Sequence, residues 1–143
     1  MNDAPGLIDS HCHIAEAEFD TDRDAVIGRA IDAGLTAIIC VGATGAVERN
    51  HPTLALAAAA APTALAIYAT VGIHPHDAIT ADDAAFAQLR TWAASKRVVA
   101  LGETGLDYHY DHSPRPVQRS VFAQTIALAR ELAMPLVVHV RDA

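Results

Sequence analysis

The chain has 143 residues, of which 52% are hydrophobic, 19% charged and 5% aromatic. That length and apolar content are enough to bury a core, and they exclude intrinsic disorder. Lys and Arg number 10 against 17 Asp and Glu, so the net charge is -7. This balance argues against a domain that binds nucleic acid through a general positive field, although metal ions can supply positive charge to a nuclease.

The cellular compartment is predicted from the number of cysteines and from the lack of a signal-peptide pattern or a membrane-spanning segment. Two cysteines, Cys12 and Cys40, are too few for a disulfide scaffold and fit a reducing environment. The first residues carry no basic region followed by an apolar segment, and the alanine run at 57–61 is too short to span a membrane. We therefore expect a cytoplasmic protein with no membrane partner.

Five short apolar runs predict five β-strands. They cover residues 7–9, 37–41, 69–72, 98–101 and 136–138. Their starts lie about 30 to 40 residues apart, which is the length of one βα unit. Each run is apolar throughout rather than alternating, as in parallel strands that are covered on both faces.

Helical patterns separate these runs. The first has an apolar face over residues 26–31 and stops at a glycine, and the second covers residues 53–61 and is closed by a proline. The third is predicted to begin at Thr80, with Asp83 completing a start that resembles a capping box. The fourth begins after Pro114 and Pro116. The sequence thus predicts one α/β unit with a parallel sheet.

Two architectures fit five strands in 143 residues. One is a complete doubly wound sheet, and the other is five-eighths of a (β/α)8 barrel, which usually needs about 250 residues. The sequence stops at Ala143, directly after the fifth run, with no helix to cover that strand. We therefore expect residues 1–143 to form a single partial TIM-barrel domain, truncated after about five strands.

Polar side chains collect where the predicted strands end. They are His11 and His13 after the first strand, His74 and His76 after the third, Glu103 after the fourth, and His139 and Arg141 after the fifth. On an extended chain His11 and His13 point to the same side, where paired imidazoles suit a divalent metal. Active sites of parallel α/β proteins are built at this end of the strands. The pattern favours a metal-dependent hydrolase over a binding module.

Four segments together resemble the successive signatures of the TatD family. They are residues 8–13 (IDSHCH), 71–76 (VGIHPH), 100–108 (ALGETGLDY) and 135–143 (PLVVHVRDA). Members of this family are metal-dependent deoxyribonucleases among the amidohydrolase-like TIM barrels. The resemblance implies a (β/α)8 barrel with two divalent ions at its carboxyl mouth, and DNA as the substrate.

The resemblance also assigns roles by position. His11 and His13 would bind one ion, His139 the second, and Glu103 would bridge both as the central catalytic residue. Imidazole and carboxylate ligands suit Zn²⁺ and Mn²⁺, and Mg²⁺ is a further candidate. The family pattern continues with a His after the sixth strand and an Asp after the eighth, beyond the present sequence, so we expect this chain to be inactive or impaired.

Three further residues are predicted at the same mouth. His74, His76 and Arg141 would contact the scissile or a flanking phosphate, and the guanidinium is suited to a bidentate contact. The alternative for the two histidines is a loop stiffened by proline. For Arg141 it is a salt bridge to Asp107 or Asp142.

Two other functions compete with the nuclease. An amidohydrolase or deacylase of the same metal class would act on a small or acyl substrate, which the acidic charge balance favours. A non-catalytic α/β domain would bind metal only structurally. Dependence on a phosphodiester substrate distinguishes the nuclease from the first alternative, and an open sheet with its own sixth element would favour the second.

Overall fold

The computed structural model describes residues 6–42, 45–59 and 65–143. Its strands form one sheet in which each strand pairs in parallel with the next one along the chain. They are β1 (Leu7–Cys12), β2 (Leu35–Cys40), β3 (Ala66–Val71), β4 (Val98–Asp107) and β5 (Leu136–Arg141). This sequential order is that of a barrel, whereas a doubly wound sheet reverses its order at a switch point. The partial (β/α)8 architecture is therefore confirmed.

Helices follow the strands in the predicted order, although the fourth begins at Arg115, so that Pro116 lies within its first turn and not before it. They are α1 (Arg23–Asp32), α2 (His51–Ala59), α3 (Asp83–Ala93) and α4 (Arg115–Leu132), with 3-10 turns at Ala17–Phe19, Val47–Asn50 and Pro75–Thr80. Gly34 adopts φ +91 directly after α1, which is the conformation that ends a helix. Residues 60–62 at the predicted end of the second helix lie outside the described residues. No helix in the described ranges is long and apolar enough to cross a membrane.

The start of α3 differs from the prediction. Thr80 is the last residue of a 3-10 turn, and its hydroxyl donates to the carbonyl oxygen of Asp77. The helix is capped instead by Asp82, whose carboxylate accepts a hydrogen bond from the Ala85 amide at 2.7 Å. Thr80 was wrong as the cap because the preceding turn already uses its side chain.

The fourth strand is longer than the apolar run at 98–101. β4 continues to Asp107 and pairs with β5 along the added segment, after an irregularity between Leu101 and Thr104. Gly105 has φ +145, and a Cβ at this position would collide with the His139 carbonyl oxygen. The glycines that interrupt the apolar run therefore let two strands approach closely.

The core lies between the central strands and the helices. Cys40, Val71 and Leu101 from β2, β3 and β4 are buried there with Leu89 of α3 and Leu128 of α4. Burying such side chains stabilises the fold by about 1.5–3 kcal/mol each. The helices thus hold the convex side of the sheet.

The prediction that every strand is covered on both faces is wrong for the two edge strands. Leu7 and Ile8 of β1 are 59% and 63% exposed, and Val138 and Val140 of β5 are 46% and 61% exposed. In the described sheet each of these strands has one neighbour only.

Candidate metal centre

The end of β1 presents two imidazoles on one side of the strand. His11 Nε2 and His13 Nε2 lie 3.2 Å apart, and their side chains are 41% and 43% exposed. Cys12 points away from them, with its sulfur 3.6 Å from the Ile39 carbonyl oxygen. The alternation predicted for an extended chain is therefore observed.

Asp9 supports this end through the backbone. Its carboxylate accepts a hydrogen bond from the His11 amide at 3.0 Å. That contact fixes the course of the strand just before the two imidazoles.

Glu103 of β4 faces two groups of histidines with its two carboxylate oxygens. Oε2 lies 3.7 Å from His11 Nε2 and 3.9 Å from His13 Nε2. Oε1 lies 3.1 Å from Nδ1 of His139, which belongs to β5. The side chain is only 13% exposed, so the protein largely shields it from water. One carboxylate thus connects imidazoles from the two edge strands.

His139 is held from behind by Asp107. His139 Nε2 lies 3.0 Å from Asp107 Oδ2, and His76 Nε2 lies 2.8 Å from the same oxygen. Asp107 Oδ1 accepts hydrogen bonds from the amides of His109 and Tyr110, at 3.1 and 2.9 Å. Burial by itself would raise the pKa of this carboxyl, but the accepted hydrogen bonds hold it well below its usual range.

Gln118 of α4 fixes the backbone at this position. Its side-chain oxygen accepts a hydrogen bond from the Asp107 amide at 2.7 Å. Its amide nitrogen donates to the carbonyl oxygens of Asp107 and Ser113, at 3.0 and 2.8 Å. Gln118 is fully buried, so α4 anchors the end of β4 through a satisfied polar side chain.

His74 lies deeper than the other histidines of the group, at 5% exposed. Its Nδ1 accepts a hydrogen bond from the His76 amide at 3.2 Å, and its Nε2 lies 3.3 Å from His139 Nδ1. Burial lowers the pKa of His74 to about 4, although the nearby Glu103 opposes this shift. His74 is therefore neutral at neutral pH.

Arg141 lies at the rim of the centre. Its guanidinium carbon lies 4.7 Å from the centre of the Tyr110 ring, and that ring is stacked parallel to His112. Of the two carboxylates considered as its partners, Asp142 lies 3.0 Å from His109 instead, and Asp107 is engaged by histidines. The cation–π contact is what the structure records for this guanidinium.

Two groups of side chains in the described residues could each hold a metal ion. One comprises His11, His13 and Glu103, and the other His74, Glu103 and His139. Within each group the candidate ligand atoms lie within 4.8 Å of one another. The structure thus brings together all four residues predicted as ligands, and places His74 with them.

Sequence reasoning missed the part played by Asp107, which it considered only as a partner for Arg141. A signal was present, because Glu103, Gly105 and Asp107 alternate along one strand and so share a face. A carboxylate two positions beyond Gly105 on that face is therefore directed toward the same imidazoles as Glu103.

The chain is similar to proteins that are named as nucleases or hydrolases. A family model described as TatD related DNase matches residues 8–143. An uncharacterized metal-dependent hydrolase, YabD of Bacillus subtilis (strain 168), is 39% identical over 137 residues, covering 96% of this chain and 51% of that protein. A 3'-5' ssDNA/RNA exonuclease TatD of Musicola paradisiaca is also 39% identical, covering 96% and 50%.

Solved structures share the fold. The crystal structure of YjjV, a TatD homolog from Escherichia coli K12, matches with a TM-score of 0.82 at 33% identity, over 95% of this chain and 51% of that one. A TatD family hydrolase from Entamoeba histolytica matches with a TM-score of 0.84 at 22% identity, which supports the fold alone. The chain spans about half the length of the curated relatives it matches. On the match over residues 8–143, the chain belongs to the TatD related DNase family.

Proposed function

We propose that this chain supplies the ligands of a two-metal hydrolase that cleaves phosphodiester bonds of DNA. The observation that carries the proposal is the division of the Glu103 carboxylate, with one oxygen toward His11 and His13 and the other toward His139. A carboxylate with its two oxygens directed at separate groups of imidazoles is suited to bridge two cations.

The donor atoms fit this assignment. His11, His13 and Glu103 would hold one ion, and Glu103 with His139 would hold the second. Imidazole nitrogens and carboxylate oxygens are ligands that Zn²⁺ and Mn²⁺ accept, and Mg²⁺ is a third candidate. When bound, such a pair of ions activates water and stabilises the negative charge that develops on a phosphate.

The substrate would be oriented by the other residues of the mouth. His74 would donate its Nε2 proton to a phosphate oxygen, because its Nδ1 already accepts a backbone hydrogen bond. The guanidinium of Arg141, exposed beside Tyr110, would contact a flanking phosphate. His76 would contact the substrate through its ring, which lies against Tyr110 and His112.

Nucleic acid is the substrate that the family relationship supports. The family model is described as a DNase, and the relative from Musicola paradisiaca is named as an exonuclease of single-stranded DNA and RNA. The acidic net charge of -7 makes metal ions the source of positive charge for a phosphate.

We further propose that the chain alone is impaired as an enzyme. It spans about half the length of its curated relatives, and the family pattern implies two more ligands on later strands. Hydrolysis by the 143-residue chain is therefore expected to be slow, whereas metal binding through the four ligands present is retained.

Metal stoichiometry tests the proposal directly. Zn²⁺ titrated calorimetrically into the 143-residue chain is expected to bind at two ions per chain. Glu103→Ala should weaken both sites, His139→Ala only one, and the control Glu131→Ala, which removes an exposed carboxylate paired with Arg90, neither. Cleavage of a labelled single-stranded DNA oligonucleotide with Mn²⁺ should be slow and should require Glu103.

Several results would contradict this function. If Glu103→Ala binds Zn²⁺ like the unmodified chain, Glu103 is not the bridge. If p-nitrophenyl acetate is hydrolysed with metal while bis(p-nitrophenyl) phosphate and the oligonucleotide are not, the amidohydrolase or deacylase alternative is favoured. Binding of one Zn²⁺ ion that does not depend on Glu103 would favour the non-catalytic domain, which binds metal only structurally.

A further inference from the structure

Asp107 is the buried carboxylate that contacts a candidate metal ligand from the side opposite Glu103. Its side chain is 1% exposed, and its two oxygens have separate partners. Oδ1 receives two backbone amides, and Oδ2 receives the Nε2 atoms of His76 and His139. Asp107 therefore has four neighbours that must all donate if the carboxylate is ionised.

This division determines where the protons of His139 lie. An ionised carboxylate only accepts hydrogen bonds, so His139 must carry a proton on Nε2. The other ring nitrogen, Nδ1, is thereby turned to the opposite side, where a cation held by Glu103 would need its electron pair in place of a proton. That atom lies 3.1 Å from Glu103 Oε1, on the side where the second ion would be held.

The neighbouring histidine is fixed in the opposite sense. His74 Nδ1 accepts the His76 amide, so the proton of the neutral His74 ring lies on Nε2. This Nε2 lies 3.3 Å from His139 Nδ1. Of the two imidazoles beside Glu103 Oε1, that of His139 is therefore the one whose contact with a carboxylate on its far side leaves the near nitrogen available to a cation.

We propose that Asp107 is a positioning residue that holds His139 in the Nε2–H form and so makes Nδ1 the metal-binding atom, with His74 left as a hydrogen-bond donor. The inference rests on the proposed metal centre. It adds that Asp107 determines which of the two imidazoles, His139 or His74, binds the second ion. Carboxylates that accept the second ring proton of a ligating histidine commonly fix its tautomer and orientation.

Asp107→Asn tests this inference because it replaces one carboxylate oxygen by an NH₂ group and keeps the size of the side chain. The amides of His109 and Tyr110 require an acceptor, so the asparagine oxygen stays on them and its NH₂ group is turned toward His76 and His139. Both histidines must then accept at Nε2 and carry their proton on Nδ1. His139 loses the electron pair that faces Glu103.

The expected results are a change of tautomer and the loss of one ion. Long-range ¹H–¹⁵N spectra of the unmodified chain loaded with Zn²⁺ should show the His139 proton on Nε2, and those of Asp107→Asn under the same conditions should show it on Nδ1. The His139→Gln spectrum assigns the signals. Zn²⁺ affinity at the second site should fall about 10–100-fold, while the site of His11 and His13 is retained.

Asp111→Asn is the matched control. Asp111 is an exposed carboxylate four residues further on that pairs with Arg115, and its φ of 51 is one that asparagine tolerates. This variant should leave the His139 tautomer and both Zn²⁺ sites unchanged. If Asp107→Asn fails to fold, the spectrum of the unmodified chain loaded with Zn²⁺ still decides the question, because a proton on His139 Nδ1 there overturns the inference.

The inference and the proposed function fail in different ways. An unchanged His139 tautomer in folded Asp107→Asn would overturn the role of Asp107 and leave the metal centre standing. Absence of Zn²⁺ binding by the folded, unmodified chain would contradict the metal centre.

Discussion

The histidines of the centre differ most in their exposure to water. His11 and His13 are more than 40% exposed, whereas His74 is 5% exposed beside Glu103. An exposed imidazole is hydrated in either protonation state, but a buried one loses hydration when it becomes charged. His74 is therefore the histidine of this group through which acid should act on the folded chain.

Acid sensitivity follows from the pKa of His74. Burial lowers this pKa to about 4 from an ordinary value of 6.5. Between these values the unfolded chain binds the proton and the folded chain does not, so the free energy of unfolding falls as pH drops from 6.5 to 4. In urea unfolding with EDTA, His74→Gln should reduce this loss by up to about 3 kcal/mol.

The control is His51→Gln, which replaces an exposed histidine at the start of α2, outside the centre. An equal loss of stability between pH 6.5 and 4 in His74→Gln and in the unmodified chain would show that His74 is not the group responsible.

Asp107 affects stability at lower pH than His74. Its pKa is lowered, so the stability that it contributes is lost only as pH falls below the ordinary carboxyl value of 3.8.

Sequence alone was sufficient to select the residues that converge. His11, His13, Glu103 and His139 follow from their place at strand ends, because parallel strands direct those ends to one side of the sheet. The partners of each nitrogen could not be predicted in this way. Whether His76 Nε2 meets a substrate or Asp107 depends on how the 3-10 turn that carries His76 packs against the end of β4, where the two atoms lie 2.8 Å apart.

Between β4 and α4 the important contact is polar. Gln118 donates to two carbonyl oxygens and accepts from one amide, all of them at the point where β4 leaves the sheet. The apolar face of α4 then continues with Val121 and Leu128. The helix thus secures both the core and the backbone of Asp107.

Gln118→Ala should destabilise the chain by about 2–4 kcal/mol, because three buried backbone groups lose their partner. Urea unfolding monitored by circular dichroism measures the change. Gln124→Ala on the exposed side of the same helix serves as the control and should cost less than about 0.5 kcal/mol. Equal effects of the two substitutions would show that the buried contacts of Gln118 contribute nothing.

Strand and helix order followed from apolar runs and their spacing, whereas several boundaries did not, and the end of β4 and the start of α3 show why. The end of β4 could not be predicted from the apolar pattern, because Gly102 and Gly105 interrupt that pattern while the backbone continues to pair with β5. Thr80 and Asp82 are both able to cap a helix. The choice between them depends on the 3-10 turn that ends at Thr80, which has no strong sequence signature.

Curvature of the sheet brings its first and fourth strands together. β1 pairs only with β2, yet His11 and His13 reach Glu103 of β4 across the open concave side. Ions held by these residues would connect strands that share no backbone hydrogen bonds. Metal binding should therefore stabilise the curved form of the whole sheet.

Thermal unfolding with and without Zn²⁺ measures this linkage. At 100 times the dissociation constant, one bound ion should add about 2.7 kcal/mol to the free energy of unfolding. Glu103→Ala should lose most of the increase in Tm, and Glu131→Ala should retain it. An identical Tm with and without Zn²⁺ in the unmodified chain, at concentrations where binding is measured, would contradict the linkage.

The sequential strand order has a consequence for a chain that is still being synthesised. Each strand can pair with its predecessor as soon as it emerges, because no later strand has to be inserted between earlier ones. The proposed metal ligands do not follow that schedule, since His11 and His13 come first and His139 only with the fifth strand. The sheet can therefore grow step by step, whereas the proposed second ion could bind only after β5 has been added.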